Sequence, residues 1–166
     1  MRIKLIPIVF ASALLGACGS SSSSADDHMA TPATQAAATS SATAGKARGP
    51  KLRITDSDYG RILANGRGRA LYLFTADRGK SSNCSGDCAT AWPPYIVKRK
   101  AVAGPGTKAS KIGTTRRSDG RLQATYGGHP VYFYVGDNEP GEVLCQAVNE
   151  FGGFWYVLRA NGRAVR

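Results

Sequence analysis

GRILANGRGRALYLFTAD, residues 60–77, and GRLQATYGGHPVYFYVGD, residues 120–137, align without a gap, and this pair of stretches decides the fold. Gly60, Arg61, Ala64, Gly68, Tyr72 and Asp77 meet Gly120, Arg121, Ala124, Gly128, Tyr132 and Asp137. Between them Ile62 meets Leu122, Leu71 meets Val131, Leu73 meets Phe133 and Phe74 meets Tyr134. Six identities in eighteen positions, with matched apolar chemistry, mark a duplicated unit. Two copies are too few to stack as a solenoid, so they predict one pseudo-symmetric domain.

Each copy repeats the same local grammar. Arg61-Ile62-Leu63 and Leu122-Gln123-Ala124-Thr125 read as strands leading to turns at Asn65-Gly66 and Gly127-Gly128. The second pieces, Ala70–Phe74 and Val131–Val135, are strongly β-favouring, so each copy predicts a hairpin whose glycines supply positive φ. Both second pieces are apolar on both alternating faces, which points to a covered, central position. Ile112–Thr115 and Phe154–Leu158 add further strands, and Cys84–Trp92 is long enough for a short helix that Pro93-Pro94 ends. The expected fold is mainly β. It is a small antiparallel domain, sandwich or barrel-like, built from two pseudo-symmetric repeats with one short helix near 84–92.

Outward from the repeats, residues 51–166 carry nearly all the bulky apolar content and suit a single domain. Upstream, Arg2 and Lys4 precede an apolar run from Leu5 to Ala17. A spanning helix needs about 20 apolar residues, so residues 1–17 read as an export signal. Leu15-Gly16-Ala17-Cys18 resembles a bacterial lipobox, which implies cleavage before Cys18 and acylation (palmitate or a similar chain) of its thiol. Residues 18–50 are rich in Ser, Ala, Thr, Gly and Pro and cannot bury enough surface to offset their entropy. A tether of this length reaches roughly 30 Å on average. The expected location is the cell envelope, lipid-anchored on the exported side.

Tyr-x-aromatic-x-x-Asp occurs in both copies, as Tyr72, Phe74, Asp77 and as Tyr132, Tyr134, Asp137. With Asn83-Cys84-Ser85-Gly86-Asp87-Cys88, Ala91-Trp92-Pro93-Pro94 and the closing block from Pro140 to Val157, the chain resembles the bacterial secreted-repeat lipoprotein family. Cys145 stands where members more often resemble a glycine-containing turn. The resemblance implies an exported protein and no assigned activity. Read physically, Tyr72 and Phe74 share a strand face, and Asp77 falls just past the strand end. There a carboxylate can accept turn N–H groups. The competing readings are aromatic platforms for a ligand and a carboxylate dyad.

With Cys18 assigned to lipid, Cys84, Cys88 and Cys145 remain, and three pairings are open in an oxidising compartment. A Cys84–Cys88 bridge around Gly86 is favoured, which leaves Cys145 free and fairly buried; a regular helix across this segment would strain it. The alternative is a metal or redox site using Cys84, Cys88 and His129. Cys-x-x-Cys-His, Gly-x-Ser-x-Gly and a phosphate loop are all missing from the sequence, so neither a cofactor nor a catalytic residue is expected.

The net charge is +11. Charge of this size attracts polyanions and anionic lipid, and in an exported protein those are envelope polymers and head groups, not nucleic acid. Arg67, Arg69, Lys98, Arg99, Lys100, Arg116 and Arg117 fall in expected loops and turns, free to meet such a partner. Two function classes follow. One is a non-catalytic envelope binding or structural module; the other is a metal-binding or redox-active lipoprotein.

Overall fold

The structure, a computed structural model, describes residues 49–166. The export signal over 1–17, Cys18 and nearly all of the tether over 18–50 lie outside the described residues. Nine strands follow in order: β1 Lys51–Thr55, β2 Ile62–Asn65, β3 Tyr72–Phe74, β4 Val102–Ala103, β5 Ile112–Arg116, β6 Leu122–Tyr126, β7 His129–Pro130, β8 Val148–Glu150 and β9 Gly153–Val157. One helix, α1 Asp87–Ala91, and a 3-10 turn at Ala109–Lys111 complete the elements.

The fold is mainly β and forms three small sheets, ordered β2-β1-β4, β3-β9-β8 and β5-β6-β7, with no closed barrel. All pairs are antiparallel except β1 with β4. Period-two patterning explains the exposed faces: β1 buries Leu52 and Ile54, and β9 buries Gly153, Trp155 and Val157 while turning Phe154 outward. Two buried clusters result. One is largely aliphatic, around Leu52, Leu63, Leu71, Val131 and Leu158. The other is aromatic, around Tyr72, Phe74, Trp92, Tyr132 and Trp155.

The duplication is visible in the backbone. Gly60 and Gly120 have φ of 79° and 80°, and Gly68 and Gly128 both have 92°. Gly66, expected to supply the positive φ of the first turn, does not; Gly68 does. Asn65 explains the shift, because its Oδ1 accepts the N–H groups of Arg67 and Arg69 and so sets the positive φ two residues further on.

The stretch expected as a strand over 131–135 is extended but not a regular strand. Its amides change partner at each step. Val131 donates to Ala124, Tyr132 to Tyr72, Phe133 to Pro93 and Val135 to Ala91. Leu71 donating to Leu63 and Thr75 to Phe154 repeats this pattern in the first copy. The central covered position expected for both second pieces holds for Ala70–Phe74 and for Val131 and Tyr132, whereas Phe133 and Tyr134 are half-buried and Val135 is exposed. The short helix begins at Asp87, so Cys84 lies in the preceding loop.

Candidate binding site

Tyr72 and Tyr132 stand side by side at the join of the two copies, each donating its backbone N–H to the other's carbonyl, at 2.9 and 3.0 Å. Both rings are fully buried. Their hydroxyls then cross: Tyr72 donates to Asp137 Oδ2 at 2.6 Å, and Tyr132 donates to Asp77 Oδ2 at 2.8 Å. Each tyrosine of the motif is therefore satisfied by the aspartate of the other copy. The second oxygens cap turns as expected, Asp77 Oδ1 accepting from the Asn83 N–H at 2.7 Å and Asp137 Oδ1 from that of Leu144 at 3.0 Å.

The rings between these pairs match in the same way. Trp92 and Trp155 stack with centroids 4.1 Å apart and planes 4° from parallel. Phe74 stacks on Trp155 and Tyr134 leans on Trp92. Tyr72 meets Trp92 edge-on at 5.1 Å, and Tyr132 meets Trp155 edge-on at 5.2 Å. Paired contacts of this kind are what a pseudo-twofold rotation requires. The buried rings of Tyr72, Phe74 and Tyr132 cannot be platforms for a ligand and instead hold the fold together, while Tyr134 is half-buried beside them.

Electrostatics follow from that burial. Burial raises the carboxyl pKa of Asp77 to about 6 against the pull of Asn83, Tyr132 and Arg117. Asp137 is raised for the same reason, and burial drives both tyrosine hydroxyls far above their ordinary range. Arg117, expected as a free loop cation, is instead buried. Its guanidinium donates to Gln123 Oε1 at 2.8 Å, to the Cys84 carbonyl at 2.6 Å and to Ser82 Oγ. Ser82 passes the chain on to the Tyr132 hydroxyl, 2.7 Å away. Arg69 is likewise committed, donating to the Tyr134 carbonyl and lying 4.8 Å from the Phe133 ring centroid. Arg67, Lys98, Arg99, Lys100 and Arg116 are exposed as expected.

Cys84 and Cys88 are joined, with sulfurs 1.94 Å apart and Cα atoms 5.3 Å apart, and both are buried. Cys145 is free and half-buried, and hydrogen bonding to it raises the Tyr134 hydroxyl pKa. Among the described residues no three His, Cys, Asp or Glu side chains cluster as metal ligands would. His129 sits elsewhere, half-buried in β7, its pKa lowered by burial.

Sequence reasoning missed a cleft of about 670 Å³ between Asp77, His129 and the last turn of the chain. Arg159, Arg163 and Arg166 line it, as do Thr75 and Asn161. The turn is built by Arg159 donating its N–H to the Arg163 carbonyl, Gly162 donating to Arg159, and Asn161 Oδ1 accepting from the Arg163 N–H. These residues lie far apart in sequence, and their only signal was the cluster of arginines after the last aromatic strand.

Residues 53–95 and 113–159, more than half of the chain, match the family described as a secreted repeat of unknown function. The chain belongs to this secreted repeat family. The two matched segments begin sixty residues apart, which is the offset of the internal alignment. Membership in the secreted repeat family makes this an exported protein. Among the described residues no helix is long and apolar enough to cross a membrane. No curated protein and no solved structure matches the chain.

Proposed function

We propose that this protein is a lipid-anchored, non-catalytic module of the cell envelope, held by acylated Cys18, that binds an anionic polymer by charge. The observation that carries this reading is the uncompensated surface charge. Ion pairs among the described residues engage only Arg61, Arg117 and Arg121. The exposed run Lys98-Arg99-Lys100, the exposed Arg67 and Arg116, and the cleft arginines therefore face solvent with their charge intact. Their attraction reaches only about a Debye length, roughly 8 Å at physiological salt, so a partner must come close.

The test uses the full chain carrying Cys18→Ser, which removes the acylation site. It sediments with purified anionic cell-wall polymer at low salt and releases as salt rises. Replacing Lys98, Arg99 and Lys100 by Gln lowers the bound fraction. Binding that ignores both salt and these substitutions would defeat the reading. Stoichiometric copper or zinc in protein purified without chelator would favour the metal or redox alternative, which must first open the buried Cys84–Cys88 bridge. The anchor has its own assay: native chain partitions with membranes and the Cys18→Ser variant does not.

A further inference from the structure

The two copies differ at one place where their symmetry would make them alike. In the second copy Phe133 fills the position matching Leu73, and Arg69 of the first copy, which matches His129, lies over the Phe133 ring. There the space is occupied and the cation is committed. At the symmetry-related place the smaller Leu73 of the first copy meets His129 of the second, and both line the open cleft.

An aromatic face adjoins the cleft. Tyr156 pairs with Leu73 in the β3–β9 register, so the two side chains share a face. Phe154 is next on that face; its N–H donates to Thr75 Oγ1 at 2.7 Å, and its carbonyl accepts from the Thr75 N–H at 2.9 Å. The Phe154 and Tyr156 rings lie 25° from parallel with centroids 6.0 Å apart, and Phe154 is 42% exposed. Arg166 ties this face to the cleft, its guanidinium 5.8 Å from the Tyr156 centroid. Three arginines and the polar groups of Thr75, Asn161 and Asp77 thus line one concavity, and the Phe154–Tyr156 face adjoins it through Leu73, Thr75 and Arg166.

We infer that this cleft binds an acidic saccharide, a sugar ring bearing a carboxylate or phosphate. The arginines take the oxyanion in forked hydrogen bonds. The exposed Phe154 and Tyr156 faces pack against the apolar C–H face of the ring. Asp77 would repel an anion placed against it, so the acid group lies toward Arg159, Arg163 and Arg166. Each Asp77 oxygen already accepts one hydrogen bond and keeps a lone pair for a sugar hydroxyl. A bare polyanion would use the arginines and leave the aromatic face idle. The inference rests on the polymer-binding reading above and names the ligand class and the place.

Calorimetry with the full Cys18→Ser chain tests it against four probes: hexagalacturonate, a phosphomannan oligosaccharide, neutral maltohexaose and tripolyphosphate. At least one of the two acidic saccharides binds tenfold or more tightly than both maltohexaose and tripolyphosphate, and which one does identifies the acid. Arg163→Gln with Arg166→Gln weakens that binding tenfold or more. Phe154→Ala weakens it several-fold and leaves tripolyphosphate binding unchanged, a split that general unfolding could not produce. Equal affinity for tripolyphosphate, no binding of either acidic saccharide, or indifference to these substitutions would overturn the inference. Salt-dependent wall binding that survives Arg163→Gln with Arg166→Gln would sink the cleft alone. Loss of salt-dependent wall binding in the unsubstituted chain would sink the broader reading.

Discussion

Asp77 works against its own burial. It accepts from the Asn83 N–H and the Tyr132 hydroxyl, yet the surrounding protein still raises its pKa from 3.8 to about 6. The folded chain therefore holds this proton between about pH 4 and 6, where an unfolded chain has released it. The sign follows directly: the contribution to stability is full below pH 4 and is lost as pH rises through 6. Comparison with Asp77→Asn isolates it from the general repulsion of a cationic chain at low pH. From pH 7 to pH 4.5 the native chain should gain on the order of 1–2 kcal/mol relative to the variant, after discount for partial solvent exposure. Chemical denaturation of both proteins at the two pH values measures this, and a parallel response of the two would refute the assignment.

At the scale of elements, the hairpin joining β8 to β9 carries a misfit. Glu150 pairs with Gly153, so Phe151 and Gly152 form its two-residue turn, with φ of 54° and 81°. Such turns favour Asn-Gly because a bulky side chain at positive φ is strained. Phe151→Asn should raise stability by about 0.5–1 kcal/mol, read as a higher denaturation midpoint with an unchanged slope. A loss of stability would mean that the exposed Phe151 ring makes a contact worth more than the strain.

The same elements separate what the sequence revealed from what it hid. The strands around Ile62, Leu122 and Trp155 were legible because β-favouring residues ran between turn signals. The extended piece from Val131 to Val135 carries the same signal, but tertiary partners rather than one neighbouring strand take its amides. The strands at Val102–Ala103 and Val148–Glu150 gave weaker signals, being short or polar, and in Lys51–Thr55 only Leu52 and Ile54 alternate with polar residues. Arg117 looked equivalent to Arg116 until Ser82, Gln123 and the Cys84 carbonyl closed around it. The cleft stayed hidden because its parts meet only in three dimensions.

For the whole molecule, the motif binds two copies into one folding unit. Neither copy satisfies both oxygens of its own aspartate, since one oxygen of each carboxylate takes the tyrosine hydroxyl of the other copy. The Cys84–Cys88 bridge closes a very short loop and leaves this junction to hydrogen bonds and packing. The stacked tryptophans then sit where the copies meet, and the differences between the copies leave a cleft beside one of them. A double-mutant cycle tests the exchange most directly, using Tyr72→Phe with Asp137→Asn and, as the control, Tyr72→Phe with Asp77→Asn. The exchange predicts a coupling of about 1–3 kcal/mol for the cross-copy pair and less than about 0.5 kcal/mol for the pair within one motif. Stronger coupling between Tyr72 and Asp77 than between Tyr72 and Asp137 would contradict it.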